Sequence, residues 1–231
     1  MVTPTVGVLN EGPLHASLKE WYRRPGDRVE QPLDGFVIDL VRGDTLIEIQ
    51  TRGFSAMRKK LDHLLDRYPI RVVHPIAAEK WVVKLDPETG EVSRRKSPKR
   101  GIPADVFGEL VSFPSLVSHP NFTLELVMIR EDEVRRADTK KGWRRGGWVV
   151  DHRELVEVVD HLILDSPVAL GELLPPGLPQ VFTTADLATA LGRTRHVAQD
   201  VAYCLKTADA IHQIARDRDG IHYRFGRPDG E

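Results

Sequence analysis

The chain lacks the features that secreted proteins of modest size usually depend on. Among its 231 residues there is one cysteine, Cys204, so no internal disulfide can form. Residues 1–10 have no basic start followed by an apolar stretch, which is the pattern of a secretory signal. Together these absences predict a cytoplasmic protein.

Long apolar segments and a dominant charge are also missing. No run approaches the roughly 20 apolar residues that a membrane-spanning helix needs, so we expect no membrane partner. The 33 Lys and Arg residues against 34 Asp and Glu give a formal net charge of -1, so any affinity for nucleic acid must come from local patches. Hydrophobic residues at 41% and charged residues at 29% are typical of a soluble globular protein and exclude a disordered chain.

A proline-rich stretch indicates where the chain is divided. Residues 173–179 contain three prolines, which interrupt helices and cannot donate to a sheet ladder. We therefore predict a large domain over residues 1–174, a linker over 175–181 and a small domain over 182–226. The large domain is long enough to bury a substantial core.

The large domain mixes helical and strand patterns. Apolar residues recur at helical spacing from Glu11 to Tyr22, and two alternating runs, Gly35 to Val41 and Thr45 to Thr51, flank the turn residues Gly43 and Asp44. Beyond them we expect a helix at 55–68, strands at 70–76 and 80–85, short helices at 103–111 and 114–118, a strand at 122–129 and either strands or a helix within 147–164. This order predicts an α/β fold with a mixed central sheet flanked by helices.

The hairpin places two acidic residues opposite one another. If Gly43 and Asp44 form a two-residue turn, the continued register sets Asp39 directly across from Glu48. Their Cβ atoms would lie about 4.5–5.5 Å apart, where two carboxylates repel unless a proton or a cation lies between them. A divalent ion such as Mg²⁺ suits that position. An ordinary solvent-exposed face, or a register shifted by one residue, is the alternative.

The order of these acidic residues resembles a known family. Glu11 in a first helix, Asp39 at the end of an apolar strand and Glu48-Ile49-Gln50 in the next strand precede an amphipathic helix and a hydrophobic strand. Over roughly residues 8–85 this pattern resembles the PD-(D/E)XK nuclease superfamily, which has the restriction-endonuclease-like fold. The resemblance implies that Asp39, Glu48 and the carbonyl of Ile49 bind Mg²⁺ or Mn²⁺, that Glu11 adds a carboxylate, and that the chain hydrolyses phosphodiester bonds in DNA. Because many relatives are dimers, it also implies a homodimer.

One residue departs from the pattern of the family. The lysine that usually orients or activates the attacking water is Gln50 here, and an amide can neither lend that water a positive charge nor accept its proton. Either metal ions supply the activation, or Lys59 or Lys60 from the following helix does, or cleavage has been lost. Loss of cleavage would leave a non-catalytic DNA-binding or regulatory protein, and a protein-interaction adaptor is a further alternative.

Two stretches concentrate positive charge in a chain that is otherwise balanced. Residues 93–101 contain five Lys and Arg side chains and no acid, and residues 135–148 contain six with one aspartate. Clusters of this kind bind phosphates by releasing counterions, so we expect them to contact DNA or RNA. The predicted contacts are Arg52, Arg94, Arg95, Lys96, Lys99, Arg100, Arg144 and Arg145.

The small domain has its own pattern. A helix beginning at Thr183 or Thr184 is broken at Gly192, Thr194 can cap a second helix, and alternating residues around Asp219 and Gly220 predict a hairpin. This order resembles a winged helix-turn-helix, which implies that the residues facing a DNA groove are Arg193, Arg195, His196 and Gln199. Six basic and five acidic residues between positions 183 and 225 fit a protein-pairing winged helix equally well.

Overall fold

The large sheet accounts for most of the strands in the chain. The computed structural model describes residues 11–85, 89–90, 92–138, 140 and 146–226. Within these ranges a mixed sheet of seven strands is flanked by helices, and a three-stranded sheet forms from C-terminal residues. The predicted α/β class with a mixed central sheet is confirmed.

The elements follow one another in the order expected for an α/β protein. The α-helices are α1 (Pro13–Tyr22), α2 (Arg58–Leu64), α3 (Phe107–Leu110), α4 (Pro167–Gly171), α5 (Thr184–Leu191) and α6 (Arg195–Thr207). The strands are β1 (Arg28–Leu33), β2 (Phe36–Arg42), β3 (Thr45–Ile49), β4 (Ile70–Leu85), β5 (Val92–Lys96), β6 (Phe122–Ala137), β7 (Trp148–Leu164), β8 (Val181–Phe182), β9 (Ile211–Asp217) and β10 (Gly220–Phe225). Short 3₁₀ helices lie at Phe54–Met57, Pro103–Val106 and Pro114–Ser118. The large sheet has the order β1-β2-β3-β4-β6-β7, with β5 paired to β4, and the small one the order β8-β10-β9.

The chain forms two compact units, each assembled from separate segments. The first contains the described residues within 1–51, 73–102 and 127–161, and the second those within 52–72, 103–126 and 162–231. This division differs from the predicted boundary at residue 174, because the predicted linker and small domain both belong to the second unit. Within that unit α6 contacts α3 and the 3₁₀ helix Pro114–Ser118. A proline-rich stretch interrupts backbone hydrogen bonding, but it does not prevent the helices on either side from packing.

The core of the first unit forms between α1 and the sheet. Leu14, Leu18 and Tyr22 recur every four residues along α1 and are at most 7% exposed. They pack on side chains of four strands, namely Leu40, Ile47, Ile49, Val73, Val127 and Ile129. Burying one such side chain stabilises a fold by about 1.5–3 kcal/mol, so α1 is held firmly on this face of the sheet.

The β2–β3 hairpin has the predicted register. Arg42 pairs with Thr45, and the ladder continues to the pair Leu40 and Ile47. Gly43 has a φ of 60°, which a two-residue turn of this kind requires and glycine adopts without strain. The alternative register, shifted by one residue, is therefore excluded.

Several strands were not predicted, or differ in extent from the prediction. β1 contains Pro32 and lies at one edge of the sheet, where a proline removes no hydrogen bond from a neighbour. β5 is exposed along its whole length, so four residues of the predicted basic loop, 93–96, belong to a strand. β6 and β7 extend over 16 and 17 residues, and the second settles the open prediction for 147–164 in favour of one strand.

The C-terminal residues of the second unit form two helices and a hairpin. Thr183 and Asp186 form a capping box at the start of α5, and Gly192 ends this helix with a φ of 60°. Asp217 pairs with Gly220, so the hairpin turn is Arg218-Asp219 and not the predicted Asp219-Gly220. The carboxylate of Asp217 accepts a hydrogen bond from the amide of Asp219, which favours the earlier turn.

Candidate functional site

Strands β2 and β3 separate at Asp39. Their ladder ends at the pair Leu40 and Ile47. From there β2 continues beside β1, whereas β3 continues toward β4, where the amide of Gln50 donates to the carbonyl of Val73 over 2.9 Å. We call this place, formed by Asp39, Glu48 and Ile49, the β2/β3 fork.

The side chain of Asp39 takes over a backbone role at the fork. In a continued antiparallel ladder the next hydrogen-bonded pair would be Ile38 and Ile49. Instead, the amide of Ile49 donates to Oδ2 of Asp39 over 2.8 Å. Because this amide belongs to the peptide that follows Glu48, the carboxylate of Asp39 is fixed to the backbone beside the second predicted acidic residue.

Glu48 is buried at the fork. Its residue is 5% exposed, although a carboxylate is costly to bury. Its neighbours Ile47 and Ile49 face α1, so the alternation of a strand directs Glu48 to the opposite side of the sheet. A sequence that retains a buried acid here, where an apolar residue would pack more easily, is typical of a functional position.

A row of charged residues that begins just before α1 and continues along it reaches Asp39. His15 lies 3.2 Å from Oδ2 of Asp39 through Nε2, and 2.7 Å from Oε1 of Glu11 through Nδ1. Nζ of Lys19 lies 2.7 Å from the same oxygen of Glu11 and 2.8 Å from Oε1 of Glu30. We call Glu11, His15 and Lys19 the α1 charged row.

The α1 charged row is the part of the site that the sequence interpretation missed. Its members are four residues apart: His15 and Lys19 lie on one side of α1, next to the apolar stripe Leu14, Leu18 and Tyr22, whereas Glu11 lies just before the N-cap Gly12 and not in the helix as predicted. The signal was therefore present in the spacing of Glu11, His15 and Lys19. Only the position of α1 on the sheet, however, shows that His15 meets Asp39.

Contacts made by the row shift the pKa values of Glu11 and His15 toward their charged forms. Burial disfavours the charged form of Glu11, but hydrogen bonds from Lys19 and His15 outweigh it and lower the pKa of Glu11. Burial also disfavours protonation of His15, but its hydrogen bonds and charge contacts with Asp39 and Glu11 outweigh it and raise the pKa of His15. The two carboxylates that contact His15 thus favour its protonated form.

The end of β3 is anchored through Gln50. Nδ1 of His74, a residue that is 6% exposed, lies 2.6 Å from the carbonyl oxygen of Gln50. With its amide bonded to Val73, the backbone of Gln50 is held on both sides. Lys59, the lysine proposed as a substitute, is an exposed residue of α2 in the second unit.

The residues at the fork fit a divalent cation in part. Carboxylates and a carbonyl are the ligands that Mg²⁺ prefers, and one or two carboxylates suffice when waters and a phosphate complete its shell. Glu11, the predicted additional ligand, lies 2.7 Å from both His15 and Lys19, and its role at a metal stays a prediction. In the described part of the chain no group of three or more His, Cys, Asp or Glu side chains could hold a metal ion. Asp39, Glu48 and the carbonyl of Ile49 stay a predicted donor set.

The predicted phosphate contacts of the first unit are largely paired with acids. Arg94 contacts Asp132 at 2.9 Å and lies 4.4 Å from the ring centroid of Trp81. Lys96 and Arg100 each reach Oε1 of Glu79 at 2.9 Å. The exposed residues Arg95 and Lys99 complete this set.

In the second unit the predicted contacts divide into two kinds. Arg193 makes a bidentate ion pair with Asp105 at 2.7 and 2.9 Å, which directs its guanidinium toward the protein. Arg195, His196 and Gln199 are exposed on the first turns of α6, and Arg52 is exposed as well. Arg144 and Arg145 lie outside the described residues.

Fold and site together define a mixed α/β protein with an acidic, histidine-contacted fork in its central sheet. The chain belongs to the family "Domain of unknown function (DUF8091)", whose model matches residues 12–165. It is similar to an uncharacterized protein of Treponema pallidum (strain Nichols), with 32% identity over 187 residues that cover 80% of this chain and 74% of that protein. No solved structure matches the chain. Among the described helices, none combines the length and the apolar character that crossing a membrane requires.

Proposed function

We propose that this chain is a metal-dependent nuclease that hydrolyses phosphodiester bonds in DNA at the β2/β3 fork. The observation that carries the proposal is the carboxylate of Asp39 bonded to the amide that follows Glu48, at the point where two strands separate. The order α1, β2, β3, α2, β4 supports a restriction-endonuclease-like fold, to which β1 adds an edge strand. A cytoplasmic location and a homodimer belong to the same proposal.

Each residue at the fork has a separate role in this proposal. Asp39, Glu48 and the carbonyl of Ile49 would hold Mg²⁺ or Mn²⁺. Such an ion lowers the pKa of bound water and stabilises charge on a phosphoryl oxygen. Gln50 would orient the attacking water by a hydrogen bond from its side-chain amide. The backbone of Gln50 is bonded to Val73 and His74, which fixes the position of its Cα.

Nucleic-acid binding would rest on exposed cations for which no ion pair is found within the described ranges. In the first unit these are the exposed Arg95 and Lys99, and in the second the exposed Arg195. The two helices and three strands at the C-terminus support a winged helix, in which His196 and Gln199 join Arg195 at a DNA groove. Phosphate contacts of this kind would accept RNA as well as DNA.

A second candidate is a non-catalytic DNA-binding or regulatory protein that retains a nuclease-like fold. Two observations favour it. Gln50 stands where the PD-(D/E)XK superfamily usually has a lysine, and Glu11 contacts His15 and Lys19. A histidine that compensates the charge of Asp39 and Glu11 would let the fork keep its acids without a metal.

Incubation of supercoiled plasmid and single-stranded DNA with Mg²⁺ or Mn²⁺ separates the two candidates. We expect the wild type to nick DNA and Asp39→Asn to be slower by about 100-fold or more, because an amide cannot supply the anionic oxygen that the metal requires. Asp44→Asn, in the exposed turn of the same hairpin, is the matched control and should nick like the wild type. Binding without nicking by the wild type would favour the second candidate, and neither binding nor nicking would contradict both.

A further inference from the structure

The α1 charged row has no part in the proposed reaction as outlined above, yet it ends on a proposed metal ligand. Neighbours of Oδ2 of Asp39 within the described ranges include the amide of Ile49 at 2.8 Å and Nε2 of His15 at 3.2 Å. The first belongs to β3 and the second to α1. The direction of the carboxylate is therefore set by two rigid elements and not by a loop.

The position of His15 is itself determined from two sides. Its backbone belongs to α1, whose Leu14 and Leu18 are 3% and 1% exposed against the sheet. Its ring is oriented by Glu11, which lies 2.7 Å from Nδ1 and is in turn bonded to Lys19. When Nδ1 donates to Glu11, a neutral ring offers Nε2 as an acceptor, whereas a charged ring donates from both nitrogens. Each ring nitrogen of His15 lies at hydrogen-bond distance from a carboxylate oxygen, Nδ1 from Glu11 and Nε2 from Asp39.

We infer that His15 is a positioning residue, whose Nε2–H, oriented by Glu11, holds Asp39 at the β2/β3 fork in the direction in which Asp39 binds a divalent cation. The inference rests on the proposed function and deepens it. Residues that hydrogen-bond to a metal ligand commonly contribute about 10- to 100-fold to metal affinity or activity. Glu11 then acts through His15, although the sequence pattern assigned it to the metal.

A competing role for His15 predicts the opposite result. If the ring merely compensates the charge of Asp39, it competes with the metal, and its removal strengthens metal binding. If the ring positions Asp39, its removal weakens metal binding. The sign of the change therefore distinguishes the two roles.

The test measures Mn²⁺ binding to the full chain by calorimetry, without DNA. His15→Ala removes the donor, whereas His15→Gln retains an amide N–H at a similar distance from the backbone but carries no charge. Glu20→Gln, on an exposed side chain of the same helix, is the matched control. We expect His15→Ala to weaken Mn²⁺ binding by about 10-fold or more, His15→Gln to recover most of that loss, and Glu20→Gln to bind like the wild type. Thermal unfolding without metal checks that each variant is folded.

Two results would overturn the inference. One is Mn²⁺ binding by His15→Ala that equals or exceeds that of the wild type. The other is an equal loss in His15→Ala and His15→Gln, which would show that the N–H donor is not what matters. Asp39→Asn, measured in parallel, separates this failure from that of the proposed function. If Asp39→Asn abolishes Mn²⁺ uptake and His15→Ala does not weaken it, only the role of His15 is contradicted; if Asp39→Asn leaves uptake unchanged, both are contradicted.

Discussion

The two compact units differ in what they bury. The first encloses Glu48, His74, Glu131 and Glu133, all at most 7% exposed. Charged groups are costly to bury, so the first unit must provide partners for them. Lys80, for example, lies 2.7 Å from Oε2 of Glu133.

The second unit is packed mainly with aromatic and aliphatic side chains. The rings of Phe54 and Phe113 stack with centroids 5.4 Å apart, and Phe122 meets Phe113 edge-on at 6.0 Å. Its buried acid, Glu125, lies 3.1 Å from Nη1 of Arg71. The comparison indicates that the second unit contributes stability through apolar packing, whereas the first buries charged groups that cost stability.

The largest effect that this comparison predicts is on the aromatic cluster. Phe113→Ala should lower the free energy of unfolding by about 3–5 kcal/mol, because it leaves a cavity beside two rings that cannot close it. Unfolding in urea followed by circular dichroism measures the change. Asp39→Asn should alter the same free energy by less than about 1 kcal/mol, since it removes a charge and keeps the shape of the side chain. Equal losses of unfolding free energy in the two variants would contradict the difference between the two units.

A smaller effect is expected at the ion pair of the second unit. The double-mutant cycle of Asp105→Asn and Arg193→Gln should give a coupling of about 0.5–1 kcal/mol, because the pair is bidentate but accessible to screening by solvent. Urea unfolding of both single variants and of the double variant measures it.

DNA binding should distinguish Arg195 from Arg193, the arginine that is paired with Asp105. Arg195→Gln should weaken DNA binding in a gel-shift assay at low salt, whereas Arg193→Gln should have little effect there, because its guanidinium is committed to Asp105. The opposite pattern would mean that Arg193 leaves Asp105 to meet phosphate, and the division of these contacts into two kinds would then be wrong.

The smallest effect concerns the pH dependence of the first unit. Burial raises the pKa of Glu131 above its usual 4.5, although the charges of Arg153 and Lys80 act against it. Within the described ranges no hydrogen-bond donor reaches Oε2 of Glu131, and Nη1 of Arg153 lies 3.7 Å away. The folded state therefore retains a proton that the unfolded state has released, and this contribution to stability falls as pH rises from 4.5 through the folded pKa.

Glu131→Gln should make the free energy of unfolding less dependent on pH in that window. Urea unfolding at a series of pH values between about 4 and 8 measures the slope. Glu20→Gln serves as the exposed control and should keep the slope of the wild type. An unchanged slope in Glu131→Gln would show that the acid is compensated by its cations, and the first unit would then bury charge without cost.

The parts of the fold that could be predicted depend on neighbours in the chain. The turn at Gly43 and Asp44, the cap at Thr194 and the apolar stripe of α1 each follow from a few adjacent residues. Strand β5 could not be predicted, because an exposed strand has no apolar alternation and its ladder depends on its partner β4. The same holds for the ion pair between Arg193 and Asp105, which joins residues 88 positions apart.

The amino-acid sequence by itself determined the hairpin register, and with it the positions of Asp39 and Glu48 on neighbouring strands, because a two-residue turn leaves one way to align the strands that follow. Only the tertiary structure decided that β2 and β3 part at Asp39 and that His15 meets it there. The reason is physical: where a strand leaves its neighbour, and which helix covers the gap, depends on how distant segments pack, and no short stretch of sequence contains that information.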